Sequence, residues 1–391
     1  NSVEKITIFL ALYFLFDRLL KLATVIHFFH RSTPPTPTNY PTISLIQPIT
    51  NGATNIETNL HSRFHLDYPA AIQHILICDI LDIETQTICQ QFKHSYPSAN
   101  ISILTVEADK GIIASKITKM KAAIPIAKSD ILCFIDDDIA LHPNTMQQMI
   151  PYLLQPGVGA TFGLACAVSW NTIWSSLMSY FVNTNALISY IPISYFTQPF
   201  TITGHLFAIT RANFHAAGGW ENMENRFDDD HELARRLKAI GLKSVQTPVI
   251  YKVSNEFFSF AAYANQIKRW FVMPRQAMVQ YLSPKDTLIS YTLSCGLFIP
   301  SLSAILALIF PSTITLFSLL TILLIYLTVY AICSYFYLPE STPLQTIILL
   351  PIVAIITPIQ IFWALLFANN DITWRGQRWR TEKGGKFQLI E

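Results

Sequence analysis

The chain has 391 residues, of which 51% are hydrophobic and only 13% carry a charge, and its formal net charge is +2. This composition argues against a soluble globule and favours membrane segments, while so small a net charge gives no reason to expect a nucleic-acid partner. The six cysteines include no CxxC pair. They therefore predict neither a zinc site nor a disulfide framework, and reduced thiols fit a cytosolic face.

The first predicted transmembrane helix lies in residues 1–31. Most of this segment is apolar over a length that spans a bilayer, although Asp17, Arg18 and Lys21 interrupt it. Asp17 and Lys21 are four positions apart and can pair on one helical face. Anchoring in the membrane interface is the alternative to spanning. Residues 32–42 come next as a proline-rich linker, which is expected to be stiff and extended.

Residues 43–285 are predicted to form one α/β domain. Short apolar runs alternate there with polar, helix-like segments, and this alternation favours a parallel sheet with helices on both faces. The uncharged, aromatic stretch 170–196 is expected to lie in the membrane interface, with packing in the core as the alternative. The predicted strands are residues 43–46, 75–78, 101–106, 131–135, 159–164, 206–210 and 245–249.

Residues 286–370 are predicted to hold three further transmembrane helices, and residues 371–391 form a basic tail. One N-terminal span and three C-terminal spans would place this tail on the membrane side opposite the α/β domain. The positive-inside rule instead favours the cytosol for both the tail and the linker end at Arg31. Either one C-terminal segment is re-entrant or one of the four spans is interfacial, and the sequence leaves both alternatives open.

The strongest chemical signal is the run Asp136, Asp137 and Asp138, which directly follows the predicted strand 131–135. Three adjacent carboxylates repel one another unless a cation lies between them. Open α/β sheets bind their ligands at the edge where parallel strands end. The run therefore predicts a site for a divalent metal and a phosphorylated ligand. An acidic turn or helix cap is the alternative, because aspartate is common in both.

Two further elements add to this signal. The sequence FDDDHEL at residues 227–233 opens an amphipathic helix, where the helix dipole stabilises aspartate, so a plain N-cap is the alternative. In QIKRW, Gln266, Arg269 and Trp270 share one side of a helix. Arginine binds phosphate in a bidentate manner and tryptophan offers a stacking face, so this group suits a nucleotide diphosphate. An amphipathic helix with a snorkelling arginine is the alternative.

Taken together, a strand-end DxD, an aspartate-rich helix start and QxxRW before membrane spans resemble the lipid-directed and processive inverting glycosyltransferases of family 2. The resemblance covers residues 40–275 and implies a nucleotide-sugar-binding domain of the GT-A type. The chain is most similar to ceramide glucosyltransferase and its bacterial, hopanoid-type relatives. The matching segments are ILICDILDIETQTICQQFKHSYP, GIIASKITKM, CFIDDDIALHPNTM, ITGHLFAITRANFHAAGGW, FDDDHELARRLKAIG, QIKRW and WRG at 374–376.

The resemblance implies roles on the donor side of the site. Asp82 matches the aspartate that contacts the uracil or ribose of the nucleotide, and Asp79 is the alternative because the spacing here is slightly short. Lys116 matches a lysine near the nucleotide. Asp136 and Asp138 match the DxD, in which Asp138, with Asp136, binds the metal that bridges the diphosphate. Asp136 is thereby also part of the nucleotide-sugar site.

The resemblance also implies roles on the acceptor side. Asp230 matches the catalytic base, and Asp229 occupies a position that is often Glu in relatives. Gln266, Arg269 and Trp270 resemble the cluster near the diphosphate and the acceptor. Asp229 and His205 are acceptor-side candidates, although a lone histidine beside an apolar run is more often structural.

The chemistry follows from the residue types as well. Displacing a nucleotide diphosphate from an anomeric carbon needs stabilisation of the leaving charge, which Mn²⁺ or Mg²⁺ held by carboxylates supplies, and Arg269 can add to it. Oxygen ligands with no His or Cys nearby favour such a hard metal over zinc. An acceptor hydroxyl needs a base on the opposite face, and Asp230 would take its proton. A single displacement inverts the anomeric centre.

These interpretations predict a membrane-bound inverting glycosyltransferase with its catalytic domain facing the cytosol. It would transfer one sugar, glucose from UDP-glucose, to a lipid hydroxyl, with a ceramide-type acceptor favoured. The membrane would be the inner membrane in a bacterium, or the Golgi or ER in a eukaryote. The alternatives are a hopanoid or diacylglycerol acceptor with UDP-GlcNAc or UDP-Gal, a polysaccharide synthase, and a non-catalytic scaffold with a decayed fold. Three nearly uncharged spans make a poor polymer channel, which ranks the synthase lower.

Overall fold

The structure is a computed structural model that describes residues 2–50, 55–107, 115–374 and 377–390. It divides into two compact units. The sheet unit comprises Ser32–Ala165, Gln198–Ser254 and Trp374–Glu391, and the helical unit comprises Asn1–Arg31, Cys166–Thr197 and Asn255–Thr373. The start of the GIIASKITKM segment, at 111–114, and the last two residues of WRG, at 375–376, lie outside the described residues.

The helices alternate with strands in the sheet unit and dominate the helical unit. A π-helical turn, Ala186–Tyr190, joins two of them, and a 3₁₀ turn, Leu344–Leu349, precedes the last. In chain order the helices are α1 (Ser2–His30), α2 (Ile56–Phe64), α3 (Ile83–Ser95), α4 (Ser115–Ala123), α5 (Thr145–Leu153), α6 (Ile173–Asn185), α7 (Ile191–Phe196), α8 (Arg211–Ala216), α9 (Asp229–Ala239), α10 (Phe260–Ala277), α11 (Pro284–Ile309), α12 (Thr313–Tyr337) and α13 (Leu350–Leu366).

An eight-stranded sheet organises the sheet unit, and all seven predicted strands are present. Its spatial order is β3-β2-β1-β4-β7-β6-β8-β5. The strands are β1 (Ile43–Pro48), β2 (Ile72–Asp79), β3 (Asn100–Val106), β4 (Ile131–Ile135), β5 (Ile139–Ala140), β6 (Val158–Ala167), β7 (Leu206–Thr210) and β8 (Lys243–Val253).

The sheet is mixed, so the prediction of a parallel sheet is wrong for half of it. Strands β3, β2, β1 and β4 run parallel, whereas β7 pairs antiparallel with both β4 and β6, and β5 pairs antiparallel with β8. The cause of the error is visible in β4, where Leu132 and Phe134 enter one buried cluster and Ile131, Cys133 and Ile135 enter another. A strand covered on both faces is apolar throughout, and this pattern carries no information about direction.

Among the described residues, three helical segments of the helical unit are long and apolar enough to cross a membrane, by length and composition. They are Pro284–Ile309, Thr313–Tyr337 and Leu344–Leu366, the last of which comprises the 3₁₀ turn and α13. They correspond to the three predicted C-terminal spans. The helix α10 that carries QIKRW precedes them. The aromatic stretch 170–196 is helical and contributes Leu177, Tyr180 and Phe181 to the apolar core of this unit.

Three charged residues of α1, Asp17, Arg18 and Lys21, are buried within the helical unit. Lys21 Nζ lies 2.9 Å from Asp17 Oδ1 and donates a hydrogen bond to the carbonyl oxygen of Leu293 at 2.7 Å, and Arg18 Nε lies 3.3 Å from Asp17 Oδ2. Helix α11 approaches at Gly296, where an added Cβ would overlap the Asp17 carboxylate. The charges thus face neighbouring helices, and the apolar side of α1 is exposed. A membrane span for α1 stays a prediction, and this packing is compatible with it.

The basic tail is folded. After β9 (Asp371–Trp374), strands β10 (Gln377–Thr381) and β11 (Phe387–Leu389) pair antiparallel, with Thr381 opposite Phe387. We term residues 377–389 the C-terminal hairpin, and it belongs to the sheet unit. Trp379, Thr381 and Phe387 are buried, so the hairpin has an inner face of its own.

Candidate active site

The acidic run forms a turn at the end of β4, and His205 lies beside it. The N–H of Asp136 donates to the carbonyl oxygen of His205 at 2.9 Å. One ligand atom each from Asp136, Asp138 and His205 lies within 4.8 Å of the other two. This neighbourhood follows from topology: β7 runs antiparallel to β4, so the residue that precedes β7 meets the residue that follows β4. These three side chains can hold a cation.

The donor set differs from the expected one. From the sequence, no histidine was expected near the aspartates and His205 was assigned to the acceptor side, and the first expectation is wrong. Two carboxylates and one imidazole fit a divalent transition metal such as Mn²⁺, because imidazole nitrogen is a poorer ligand for Mg²⁺. The Nδ1 of His205 lies 3.4 Å from the hydroxyl of Tyr251, a buried residue of β8, which would help to orient the ring.

Helix α2 supports the acidic turn from the interior. The guanidinium of Arg63 is fully buried and donates to the carbonyl oxygens of Asp136 and Ile139 and to Gln47 Oε1, the last at 2.8 Å. Asn59 Nδ2 donates to the carbonyl oxygen of Asp137 at 2.7 Å. These bonds satisfy backbone oxygens that the turn would otherwise leave unpaired. Sequence reasoning missed both side chains, because α2 carries no motif and their burial is a tertiary property.

The central aspartate of the run has a local role. The carboxylate of Asp137 accepts a hydrogen bond from the backbone N–H of Thr50. Burial raises the pKa of Asp137, and the neighbouring carboxylates of Asp138 and Asp136 raise it further, while the Thr50 bond opposes them. Asp137 is thus turned towards the fold, which leaves Asp136 and Asp138 as the pair that faces His205.

Lys116 joins the two acidic groups of the chain. Its Nζ lies 2.6 Å from Asp136 Oδ1 and 3.9 Å from Asp229 Oδ2, and it donates to the carbonyl oxygen of Gly204 at 3.1 Å. Burial lowers the pKa of Lys116, but the attraction of Asp136, Asp229 and Asp230 outweighs it and the pKa is raised. The lysine is therefore a fixed positive charge between the acidic turn and the start of α9.

Asp230 is held by backbone donors. Its Oδ2 accepts from the N–H of Gly204 at 3.1 Å and its Oδ1 from the N–H of His231 at 2.8 Å. The neighbouring Asp229 begins α9, and burial raises its pKa to about 6 although Lys116 opposes the shift. Two carboxylates in adjacent positions thus have different surroundings.

The segment before β7 connects all of these groups. Gly204 lies between Lys116 and Asp230, since a Cβ there would lie 3.3 Å from Lys116 Nζ and 3.6 Å from the Cβ of Asp230. Thr203 adopts φ 36°, a left-handed conformation that a β-branched residue rarely takes. Such strain persists only where the surroundings impose it, and it is concentrated at functional sites. The TGH sequence was noted only for its histidine, and no spacing rule would have revealed the strain at Thr203.

Asp79 and Asp82 lie at the end of β2, on the same edge of the sheet as the acidic turn. Asp82 caps α3, its Oδ1 accepting from the N–H of Thr85 at 3.1 Å, and Asp79 Oδ1 accepts from the N–H of Leu81 at 2.9 Å. Both carboxylates therefore have local hydrogen bonds. A nucleotide contact for Asp82 stays a prediction.

Gln266, Arg269 and Trp270 belong to the helical unit. They lie on α10 as predicted, and Arg269 Nη2 donates to Gln266 Oε1 at 2.9 Å. The ring of Trp270 stacks on Phe181 with centroids 5.9 Å apart. The structure thus brings the glutamine and the arginine together on one helical side. Their contact with a diphosphate or an acceptor stays a prediction.

The chain is similar to known glycosyltransferases in both sequence and fold. The model of a family described as glycosyl transferase family 21 matches residues 6–387. The chain is similar to the solved structure of the mannosyltransferase PcManGT from Pyrobaculum calidifontis in complex with GDP-Man and Mn²⁺, with 18% identity, a TM-score of 0.59, and coverage of 92% of this chain and 99% of that one. GalNAc-T7 with UDP, GalNAc and Mn²⁺ matches with 13% identity, a TM-score of 0.45, and coverage of 66% and 55%. The first likeness confirms the predicted GT-A-type α/β fold.

Proposed function

Because the chain belongs to glycosyl transferase family 21 it is a glycosyltransferase, and we propose that it transfers one sugar from a nucleotide diphosphate to the hydroxyl of a membrane lipid. We propose UDP-glucose as the donor and a ceramide-type lipid as the acceptor. The family assignment fits a lipid acceptor, and the three apolar helices support an enzyme that works at a membrane. The reaction would take place at the cytosolic leaflet.

One observation carries the proposal. The acidic turn and the start of α9 are far apart in the sequence, yet Lys116 lies within 4 Å of Asp136 and Asp229 at the carboxyl edge of β4. Each acidic group alone has an ordinary structural explanation as a turn or a cap. Their convergence around one lysine, beside a histidine that can share a metal, supports a transfer site with a donor side and a base.

The donor side would hold the leaving group. The donor set of Asp136, Asp138 and His205 fits Mn²⁺ better than Mg²⁺, and a cation bound there would neutralise charge that develops on the diphosphate. The PcManGT structure contains Mn²⁺ with its nucleotide sugar, which supports the same ligand here. Lys116 adds a positive charge for the phosphates. Arg269, with Gln266 and Trp270, is proposed for the diphosphate, and Asp82 for the nucleoside.

The base side would activate the acceptor. Asp230 takes the proton of the lipid hydroxyl while that oxygen forms its bond to the anomeric carbon, and the bond to the diphosphate breaks on the opposite face. The N–H groups of Gly204 and His231 hold the carboxylate in one orientation, so little reorganisation is needed during proton transfer. One displacement of this kind inverts the anomeric centre.

The test is a panel of UDP-Glc, UDP-Gal, UDP-GlcNAc and GDP-Man against ceramide, a hopanoid and diacylglycerol, each with and without Mn²⁺. We expect one glucose per ceramide, detected by mass spectrometry, and a requirement for the metal. A glycosylated hopanoid or diacylglycerol would show that the proposed ceramide-type acceptor is wrong, and a polymeric product would show that the enzyme transfers more than one sugar. Asp230→Asn should bind donor normally but lower kcat at least 100-fold, roughly the loss expected for a general base. Normal turnover of this variant would show that Asp230 is not the base.

A further inference from the structure

The C-terminal hairpin packs against the segment that leads into α9. We term residues 226–230 the base segment, because Asp230 ends it. Arg226 forms an isolated antiparallel bridge with Lys386, which lies next to β11. The base segment thus pairs, through a single bridge, with a part of the chain that comes after all three apolar helices.

Side chains and backbone both contribute to this contact. The N–H of Phe227 donates to the carbonyl oxygen of Gly385 at 3.1 Å. The rings of Phe227 and Phe387 stack with centroids 5.0 Å apart and planes inclined by 18°. Phe387 also contacts Trp379 of β10, with centroids 5.4 Å apart, and both side chains are buried. The ring of Phe227 therefore packs against the buried face of the hairpin.

Gly385 allows the closest approach. Its φ is +80°, and an added Cβ would overlap the carboxylate of Asp228. Asp228 is only 6% exposed and forms a bidentate pair with Arg226, with Nε–Oδ1 at 3.0 Å and Nη2–Oδ2 at 2.9 Å. The same Nη2 lies 3.3 Å from Glu232 of α9. A continuous set of contacts therefore runs from the hairpin through Asp228 and Arg226 into the helix that Asp229 begins.

We propose that the C-terminal hairpin is a positioning element for the catalytic base. This inference rests on the proposed function of Asp230. A loop before a helix start is ordinarily free to move, and a base displaced by about 1 Å can cost as much as 100-fold in rate. The hairpin covers this loop and removes that freedom. Its role is to hold the base segment in place, and it supplies no reacting group.

The test compares two alanine substitutions with the same backbone strain. Gly385→Ala and Gly241→Ala both place a Cβ at φ +80°, but the Cβ at Gly241 meets nothing within 4 Å. We expect Gly385→Ala to lower kcat at least about tenfold relative to Gly241→Ala, with the donor KM and the Mn²⁺ Kd changed by less than about twofold. Mn²⁺ binding is measured by electron paramagnetic resonance without donor. A purely structural role would lower the metal affinity together with kcat.

Two further measurements make the result specific. Hydrogen exchange at the amide of Phe227 should be faster in Gly385→Ala than in Gly241→Ala. If Gly385→Ala does not fold, Phe387→Leu removes the ring stacking without adding an atom, and it should lower kcat in the same way.

The outcomes separate this inference from the proposed function. Equal kcat in the two glycine variants, with a wild type that transfers sugar, overturns the positioning role alone. A parallel loss of kcat and Mn²⁺ affinity in Gly385→Ala also overturns it. A wild type that transfers no sugar from any donor overturns the proposed function and the positioning role with it.

Discussion

Replacing Lys116 with methionine should strengthen the binding of Mn²⁺ in the absence of donor. The lysine Nζ lies 2.6 Å from Asp136 Oδ1, an atom of one of the three groups that can hold the metal. The ammonium and the cation therefore compete for the same carboxylate. Methionine keeps most of the length of the side chain and removes the charge, so it leaves Asp136 available to the metal.

The magnitude follows from the distance and the exposure of the pair. At an effective dielectric constant of roughly 20, charges this close interact by about 6 kcal/mol at most. Both side chains are about one-fifth exposed, so solvent screening and the loss of side-chain entropy reduce the net effect to about 1 kcal/mol. That value corresponds to roughly a fivefold lower Kd for Mn²⁺. The donor should bind more weakly to the same variant, because the phosphates lose a positive charge.

The assay is titration of free Mn²⁺, followed by its electron paramagnetic resonance signal, at low ionic strength and without nucleotide. Lys121→Met is the matched control. Lys121 lies on the same helix and pairs with Glu224 at 2.7 Å and with Glu221 at 3.5 Å, and neither glutamate belongs to the acidic turn. Its loss should leave the Kd unchanged. A Kd for Lys116→Met equal to or above that of Lys121→Met would refute the competition and would separate the lysine from the metal site.

Three further predictions test the site, its electrostatics and the topology. Asp138→Asn should weaken Mn²⁺ binding, measured without donor, by at least about tenfold. An unchanged affinity would show that Asp138 is not a metal ligand. Burial raises the pKa of Asp228 to about 7, although the pair with Arg226 opposes the shift. The protonated carboxyl therefore stabilises the folded state. This contribution to the free energy of unfolding is present below about pH 4 and is lost as the pH rises to 7. The melting temperature of Asp228→Asn relative to wild type should therefore increase between pH 4 and 7, and a constant difference would contradict the shift. The C-terminal hairpin packs within the sheet unit, so we expect an even number of the three apolar helices to cross the membrane. Cysteines introduced as Lys93→Cys and Lys383→Cys should then react with an impermeant maleimide from the same side. Labelling from opposite sides would show that the hairpin does not pack within the sheet unit.

The same hairpin bears on a conflict that the sequence left open. Three C-terminal spans and a basic tail could not be reconciled with the positive-inside rule, and either a re-entrant or an interfacial segment was needed. Because Phe387 stacks on Phe227, the tail and the sheet must share one side of the membrane. We therefore expect an even number of the three apolar helices to cross the membrane completely. Sequence alone could not decide this, because hydropathy shows whether a segment is apolar and long enough to cross a membrane but not on which side the following residues lie.

Local patterns were sufficient for the strands and for the acidic turn. Apolar runs bounded by polar segments located seven of the eight strands of the sheet, because burial on both faces of a sheet selects such runs wherever they occur. The consecutive carboxylates Asp136–Asp138 pointed to a cation, because like charges at a strand end need compensation. Neither inference required knowledge of which strands are neighbours.

The metal site was only partly predictable. His205 was assigned to the acceptor side because it follows a glycine at a strand start, and nothing in its spacing relates it to Asp136. The antiparallel pairing of β7 with β4 brings them together, and strand direction has no signature in an apolar run. Arg63 is a similar case, because a single arginine in a polar helix looks solvent-exposed until the fold buries it beneath the turn.

The sequence by itself therefore determined the class of the fold, the identity of the carboxylates and the three long apolar segments, because each depends on residues that are close in the chain. Only the tertiary structure decided that Lys116 joins the two acidic groups, that His205 completes a possible metal site, and that the C-terminal hairpin covers the base segment. Each of these contacts links residues that are distant in sequence, and the order and direction of the strands bring them together. Local hydropathy and motif spacing contain no such information.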